Sequence, residues 1–354
     1  MALRGVKLAE VARRLPLRHV NRSQIRMPVL REASDKEQFV ARLANYVHPI
    51  DTLRTNHYRH LSPNWTTAQY PVEQFAPTPP SFDRRHARAV VAIDCEMVNV
   101  AALPPGTLGT RQEVGRLSAI DVLTGETLVD ALVDPDVPVL RWNTKCSGIS
   151  RRALQEAKSW GVHLHGWEGA RTALWNHMSD GTILIGHALK NDLPLLRMWH
   201  TKVIDTAILT KMAMSPHLTE EWSLQKLSLS FLNRTIQAEG PHCSTVDALA
   251  AADIVKVIVE NPGLLERWAK DADELIRDRN ALRDINAVRH IFGFPRIPPG
   301  QYDPEESDKR PFRNLSERPR ILRPKDIPER RWNPGMPGNS PSLETAPLAL
   351  EGAQ

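Results

Sequence analysis

The chain has 354 residues, with 46 Lys and Arg against 41 Asp and Glu, a formal net charge of +5 and 41% hydrophobic residues. That length holds one large domain or two smaller ones around a sizeable core. The slight basic excess fits a polyanionic partner without demanding one, and the absence of any run of 18 uncharged apolar residues excludes a membrane-spanning helix. The three cysteines, Cys95, Cys146 and Cys243, are odd in number and far apart with no CxxC, which argues against a disulfide framework or a zinc site and for a reducing compartment.

Residues 1–33 form a basic arm, and over residues 1–31 eight Arg and Lys face a single acid, Glu10. An Arg-rich, acid-poor start of this kind suits a mitochondrial presequence. It equally suits a nuclear-localisation or nucleic-acid-binding arm, or a solvated end. No continuous apolar stretch follows the charges, so no secretory signal is visible. Residues 34–87 read as a helical and irregular lead-in. Ser34 with Glu37 suggests a capping box opening a helix over 34–47, and Pro63, Pro71, Pro77, Pro79 and Pro80 mark 48–87 as irregular. Trp65, Tyr70 and Phe75 are expected to pack on the domain surface rather than stack on bases.

Ala89-Val90-Val91-Ala92-Ile93-Asp94-Cys95-Glu96-Met97-Val98 runs an apolar strand straight into two acids. The unbroken apolar run predicts a central strand buried on both faces. Side chains two apart on a strand share a face, so Asp94 and Glu96 either simply end the strand at the surface or converge at a buried end, where burial is costly unless a cation neutralises them. A loop is expected over 99–114, with Pro104, Pro105, Gly106 and Gly109, followed by a hairpin of strands at 116–122 and 127–133. Helices are expected over 151–158 and 166–179, strands at 183–186 and 202–206, and a helix starting near 187–192. Asp205 is read as a structural acid that bonds backbone or caps the next helix, and Ser223 as a helix start. Thr245 is read as the N-cap of an alanine-rich helix, with His242 on the loop before it and Asp247 in its first turn. Alternating strands and helices over 88–260 predict an α/β domain. A charged helix follows over 261–294, packing on the domain or on a partner. The last stretch, 295–354, holds 12 of the 28 prolines and reads as disordered or wrapped over the surface.

Three pieces stand in order: Asp94-Cys95-Glu96, then Gly186-His187 with Asn191-Asp192, then His242 with Asp247 five residues on. Together they resemble the DEDD-h (DnaQ-like) 3′→5′ exonucleases. The wording Ala92-Ile93-Asp94-Cys95-Glu96-Met97-Val98 and Gly186-His187-Ala188-Leu189-Lys190-Asn191-Asp192 resembles their eukaryotic RNA exonuclease branch, which includes ribosomal-RNA-trimming and interferon-stimulated members. Ser147-Gly148-Ile149, Asp205-Thr206 and Ser223-Leu224 fall where that branch has minor motifs. The resemblance spans about residues 88–260. It departs at Asn99, where the family usually has Gly, in the longer proline-containing loop that follows, and at Gly115-Arg116 in place of Ala-Arg.

The resemblance implies a ribonuclease H-like mixed sheet flanked by helices, with helical N- and C-terminal extensions. It also implies metal-dependent 3′→5′ hydrolysis of single-stranded RNA, with ribosomal RNA processing as one setting. Two divalent cations, Mg²⁺ or Mn²⁺, would be held by Asp94, Glu96, Asp192 and Asp247, since an all-oxygen shell suits those ions. His242 would be the general base, because imidazole titrates near neutrality, and Met97 and Val98 would lie against the terminal nucleotide. His187 and Asn191 read as scaffold for the Asp192 segment. Two rival activities stay open: a single-stranded DNA exonuclease, and a catalytically silent RNA-binding scaffold of exonuclease fold. A phosphodiesterase for very short oligonucleotides is a further variant. The family favours the nucleus or nucleolus, and the Arg-rich start keeps the mitochondrion as an alternative. No membrane association is expected.

Overall fold

The computed structural model describes residues 16–17, 22–62, 69–83, 86–102, 108–218, 220–238, 240–291, 295–299 and 301. The expectations for Trp65, for most of the basic arm and for nearly all of 295–354 lie outside these residues. By internal contacts, Met1–Gly300 forms one unit and Gln301–Gln354 a second. Among the described residues no helix is long and apolar enough to cross a membrane.

A short N-terminal helix, α1 (Ala33–Leu43), and the one-and-a-half-turn α2 (Ile50–Thr55) precede the sheet. The sheet strands are β1 (Val90–Ala101), β2 (Thr110–Asp121), β3 (Thr127–Asp134), β4 (Val139–Arg141), β5 (Leu164–His165), β6 (Ile183–Gly186) and β7 (Val203–Asp205). Their order is β5-β3-β2-β1-β6-β7, with β4 also pairing with β1. The β1–β2 and β2–β3 pairs are antiparallel, and β1–β6 and β6–β7 are parallel. Such a mixed sheet, with a long hairpin on one side and parallel crossovers on the other, is the ribonuclease H-like α/β arrangement.

The central position of β1 follows from its sequence. Val90 and Ala92 face one hydrophobic cluster, and Val91, Ile93 and Cys95 face another. The first cluster lies beneath α9 (Ser244–Glu260), which packs across β1, β2 and β6. The second lies beneath α5 (Gly166–Trp175), with Ala170 and Leu174 in it and Trp167 and Trp175 packed against it. The charged helix α10 (Leu264–Ile291) joins the α9 side through Leu264, Trp268, Ala272 and Ile276. The fully buried Trp268 meets Trp222 edge-on at 5.3 Å between centroids. Its role is therefore packing on the domain.

Several boundaries differ from the sequence reading, each for a physical reason. Residues 99–101 and 110–114 are strand rather than loop, because pairing continues through Ala101 opposite Thr110. Of the loop signals, Gly109 directly precedes the second strand, and Pro104, Pro105 and Gly106 lie outside the described residues. Gly115 has no partner in the ladder, since Glu96 pairs with Arg116 and Met97 with Val114. It is a bulge residue, and a Cβ there would meet Ile149 at 2.7 Å and Val98 at 2.9 Å. Helix α1 opens at Glu32 rather than Ser34, because the Asp35 carboxylate accepts the Glu32 backbone N–H at 3.1 Å; it ends at Leu43. The helix expected over 166–179 stops at Trp175.

The lead-in is more ordered than its prolines suggested. Leu53, Tyr58, Tyr70 and Phe75 are buried in the α5-side cluster, and Ala76-Pro77 pairs with Met198-Trp199. Tyr70 and Phe75 therefore pack on the domain, as expected.

The link from this packing to the site runs through Asp205 at the end of β7. It is fully buried, and each of its oxygens takes two donors. Oδ1 accepts the backbone N–H of Ala188 (2.8 Å) and of Ala207 (2.9 Å); Oδ2 accepts the N–H of Leu189 (3.1 Å) and the Tyr58 hydroxyl (2.6 Å). All four acceptor positions of the carboxylate are used. Asp205 thus caps α7 (Thr206–Ala213) and holds Ala188 at φ +57°, a left-handed conformation unfavourable for a residue with a Cβ. Asp205→Ala should therefore lose roughly 3 kcal/mol or more of stability by urea unfolding, because several buried donors are orphaned at once. An unchanged midpoint would refute this role.

Candidate active site at the end of the central strand

Alternation along β1 continues past its apolar part. Asp94 and Glu96 therefore turn to the same face as Val90 and Ala92, the face covered by α9. That helix enters with its N-terminal turn over β2. Ser118 on β2 bonds the Ser244 hydroxyl at 2.7 Å and the Thr245 hydroxyl at 3.0 Å. Thr245 is consequently inside the first turn, and the cap position is Cys243. The sequence reading placed the cap two residues late because Thr245 has its partner across the sheet instead of in its own helix. This docking brings Asp247, 3% exposed, over the strand end.

Asp192 arrives from the other side. Gly186 ends β6 where a Cβ would lie 2.4 Å from the Leu189 side chain and 3.0 Å from the Ile93 carbonyl oxygen, so the chain turns there only without one. Ala188 and Leu189 are then held by Asp205, and Asp192 opens the single turn α6 (Asp192–Leu195). This is shorter than the helix expected from about 187. The Cys95 backbone N–H donates to Asp192 Oδ1 at 2.9 Å, which ties the acid to β1 between Asp94 and Glu96. His187 bonds the Thr206 hydroxyl through Nδ1 at 2.9 Å, in keeping with its reading as scaffold.

Burial and mutual repulsion set the protonation of these acids. Burial, then the charges of Asp192, Asp247 and Glu96, raise Asp94 well above the usual carboxylate range. Burial followed by Asp247 and Asp192 pushes Glu96 up to about 8, with Arg116 opposing. Burial lifts Asp192 to about 7 despite the Cys95 hydrogen bond, and burial also raises Asp247, opposed by Gln237 and His242. All four shifts share one sign and one leading cause.

The acids also lack donors. Glu96 Oε1 and Asp247 Oδ1 are buried with no hydrogen-bond partner. A buried carboxylate oxygen without a donor is costly, and a hard cation is the group that removes the cost. Ligand atoms of Glu96, His242 and Asp247 lie within 4.8 Å of one another. The residues present thus fit divalent cations with oxygen preference.

His242 lies on the rim, half-exposed, with Nδ1 3.9 Å from Asp247 Oδ2. Its backbone N–H donates to the Cys146 carbonyl oxygen. Pro241 rests on Gly148, which has φ +68° and could carry a Cβ only at 3.3 Å from that ring. The Ser147-Gly148-Ile149 turn, which ends α3 (Thr144–Ser147), is therefore the clamp for the His242 loop.

Met97 is half-buried against the α5-side cluster, while Val98 is fully buried beside Gly115. Asn99 accepts from Asn143 Nδ2 at 2.6 Å, and the Asn99 amide donates to Thr110 at 3.3 Å. This Asn therefore fastens the strand to the segment before α3.

One site residue escaped the sequence reading. Gln237, at φ +55°, donates from Nε2 to Asp247 Oδ2 at 2.8 Å. Its own carbonyl oxygen is held by Gln225. It lies in a loop without a motif, so no local signal marked it.

Residues 91–255 match the family model described as Exonuclease. Among curated proteins, RNA exonuclease 3 of Candida albicans is 37% identical over 171 residues, which is 48% of this chain and 38% of that one. RNA exonuclease 3 of Saccharomyces cerevisiae is 34% identical over 184 residues, 51% of this chain and 40% of that one. The match thus spans well under half the length of these relatives. Among solved structures, the Saccharomyces cerevisiae Pan2 pseudoubiquitin hydrolase–RNA exonuclease module overlays with a TM-score of 0.45 at 23% identity, covering 59% of this chain and 35% of that one. The Asp-Glu, Asp and His-Asp pieces that assemble at one strand end all lie within residues 91–255, the stretch that is similar to the Exonuclease model and to these RNA exonucleases.

Proposed function

We propose that the chain is a metal-dependent exoribonuclease that removes nucleoside 5′-monophosphates from the 3′ end of single-stranded RNA. The observation that carries this reading is the convergence of four acids from β1, α6 and α9, with orphaned carboxylate oxygens and His242 beside them. The choice of RNA is supported by the relatives, which are named RNA exonucleases.

In this proposal Asp94, Glu96, Asp192 and Asp247 hold two divalent cations, Mg²⁺ or Mn²⁺. When bound, the ions neutralise charge on the scissile phosphate, acidify the attacking water and stabilise the departing oxygen. The remaining work belongs to the chain. His242, on the accessible rim, accepts a proton from the attacking water; the water oxygen bonds to phosphorus as the P–O3′ bond breaks, and the departing 3′-oxygen takes a proton from solvent to become the new 3′-hydroxyl. Cys95 and Gln237 keep Asp192 and Asp247 aimed by donating to one oxygen of each. Met97 supplies an apolar surface beside the terminal nucleotide. The buried Val98 side chain leaves only its backbone for such a contact. In the cell, the family resemblance suggests processing of ribosomal RNA in the nucleus, with the mitochondrion as the outcome a tagged full-length chain would reveal if that is wrong.

With a 5′-labelled single-stranded RNA and Mg²⁺ or Mn²⁺, the account predicts a ladder shortening from the 3′ end, abolished by EDTA. Asp94→Asn should lose that ladder, and His242→Ala should slow turnover by roughly 10²–10⁴-fold while metal binding persists. Tight RNA binding without cleavage would favour the scaffold reading, and equal or faster cleavage of a matched DNA would favour the DNA exonuclease.

Stability without metal gives a separate test. Groups raised on folding hold protons that the unfolded chain, with carboxylates near 4, has released. Stability of the metal-free protein should therefore fall as pH rises from about 4 through about 8. Mg²⁺ should restore most of it near neutrality by binding the folded state alone. A melting temperature independent of both pH and Mg²⁺ across that window would contradict the proposed centre.

A further inference from the structure

A second group of metal-ligating side chains lies at the outer edge of the sheet and shares no residue with the carboxylate centre. Strand β5 runs parallel to β3, with Val133 opposite Leu164 and Asp134 opposite His165. Val133 and Leu164 turn into the α5-side cluster, so alternation places Asp134, His163 and His165 together on the other face. A ligand atom from each lies within 4.8 Å of the other two. The two imidazole rings meet edge to face at 4.4 Å between centroids. His163 supplies the decisive observation: both its ring nitrogens are buried, and neither has a hydrogen-bond partner. A neutral imidazole always carries one lone pair in need of a donor, and leaving it dry and unpaired is costly.

We propose that Asp134, His163 and His165 form a second metal site, for a transition ion of the zinc class. Two imidazoles and one carboxylate are a three-ligand zinc set that leaves a fourth position for water, here on the side of the exposed His165. Imidazole donors select such ions over Mg²⁺, the reverse of the all-oxygen centre. A tetrahedron of zinc–ligand bonds has edges of about 3.4 Å, so closing the site needs side-chain adjustments of about 1 Å. The bound ion would staple the two-residue outer strand to β3. It has one competitor in view: Lys158 on α4 (Arg151–Ser159) donates to Asp134 Oδ2 at 2.5 Å. The cysteine spacing that argued against zinc concerned thiolate ligands alone.

The test uses the full chain, stripped of metal and then held in excess Mg²⁺ to fill the carboxylate centre. Zn²⁺ is titrated by calorimetry and Co²⁺ by its visible absorption. One equivalent of Zn²⁺ should bind, weakened by roughly tenfold or more in His165→Gln and in His163→Gln. Binding should be unchanged in Asp94→Asn and tighter in Lys158→Met, which frees Asp134. His165 is exposed, so its variant should fold even if that of His163 does not. Absence of Zn²⁺ binding in excess Mg²⁺ would overturn the proposal. So would binding that is lost in Asp94→Asn yet retained in His165→Gln, since the ion would then belong to the carboxylate centre.

Discussion

Burial of four converging carboxylates, with mutual repulsion added at Asp94 and Glu96, is the constraint on which the site depends. Asp94, Glu96, Asp192 and Asp247 are all pushed toward protonation by burial. At close range in a low-dielectric setting such charges interact far more strongly than in water. A chain selected only for stability would replace one or more of them. Their presence at the end of a central strand, with Glu96 and Asp247 oxygens lacking donors, is accounted for if cations complete the fold of the site.

Holding that arrangement together requires rigid neighbours, which Asp247 and Asp192 have. Asp247 is set by the Ser118–Ser244–Thr245 hydroxyl contacts and by Gln237. Asp192 is set by the Cys95 N–H, and the turn before it by the Asp205 hub. Asp205 in turn connects to the lead-in through Tyr58. The segment before the first sheet strand therefore supports the turn that delivers Asp192. His242 alone stays on the rim, attached through the Cys146 carbonyl and the Pro241–Gly148 contact. That position suits a group that must meet both water and substrate.

Much of this was legible in the sequence because periodicity and burial speak the same language. The run from Ala89 to Val98 predicted a two-face-buried strand, and its alternation alone put Asp94 and Glu96 on one side. Asp205 read as structural because an acid followed by a helix is a cap before it is a ligand. What stayed hidden depended on tertiary partners. Thr245 looked like a cap because its hydroxyl partner, Ser118, lies 127 residues away. The order of the described residues within 48–83 is set by burial of Leu53, Tyr58 and Phe75 against distant strands rather than by any local repeat. Prolines at 104 and 105 suggested a loop as long as 99–114, whereas cross-strand pairing carries the hairpin to Ala101 and Thr110. Gln237 and the Asp134–His163–His165 group had no spacing that singled them out.

In the proposed mechanism, cations replace protons and so make the carboxylate cluster tolerable. Calorimetric titration of Mg²⁺ into the metal-free chain near pH 7, repeated in two buffers of different ionisation enthalpy, measures the protons released on binding. Glu96 raised to about 8 and Asp192 to about 7 mean that protons must leave as the ion enters. The account predicts net proton release that fades as the pH passes about 8 and is reduced, with binding itself weakened, in Asp192→Asn and Asp247→Asn. Binding with no proton release, or binding unaffected by either substitution, would contradict it.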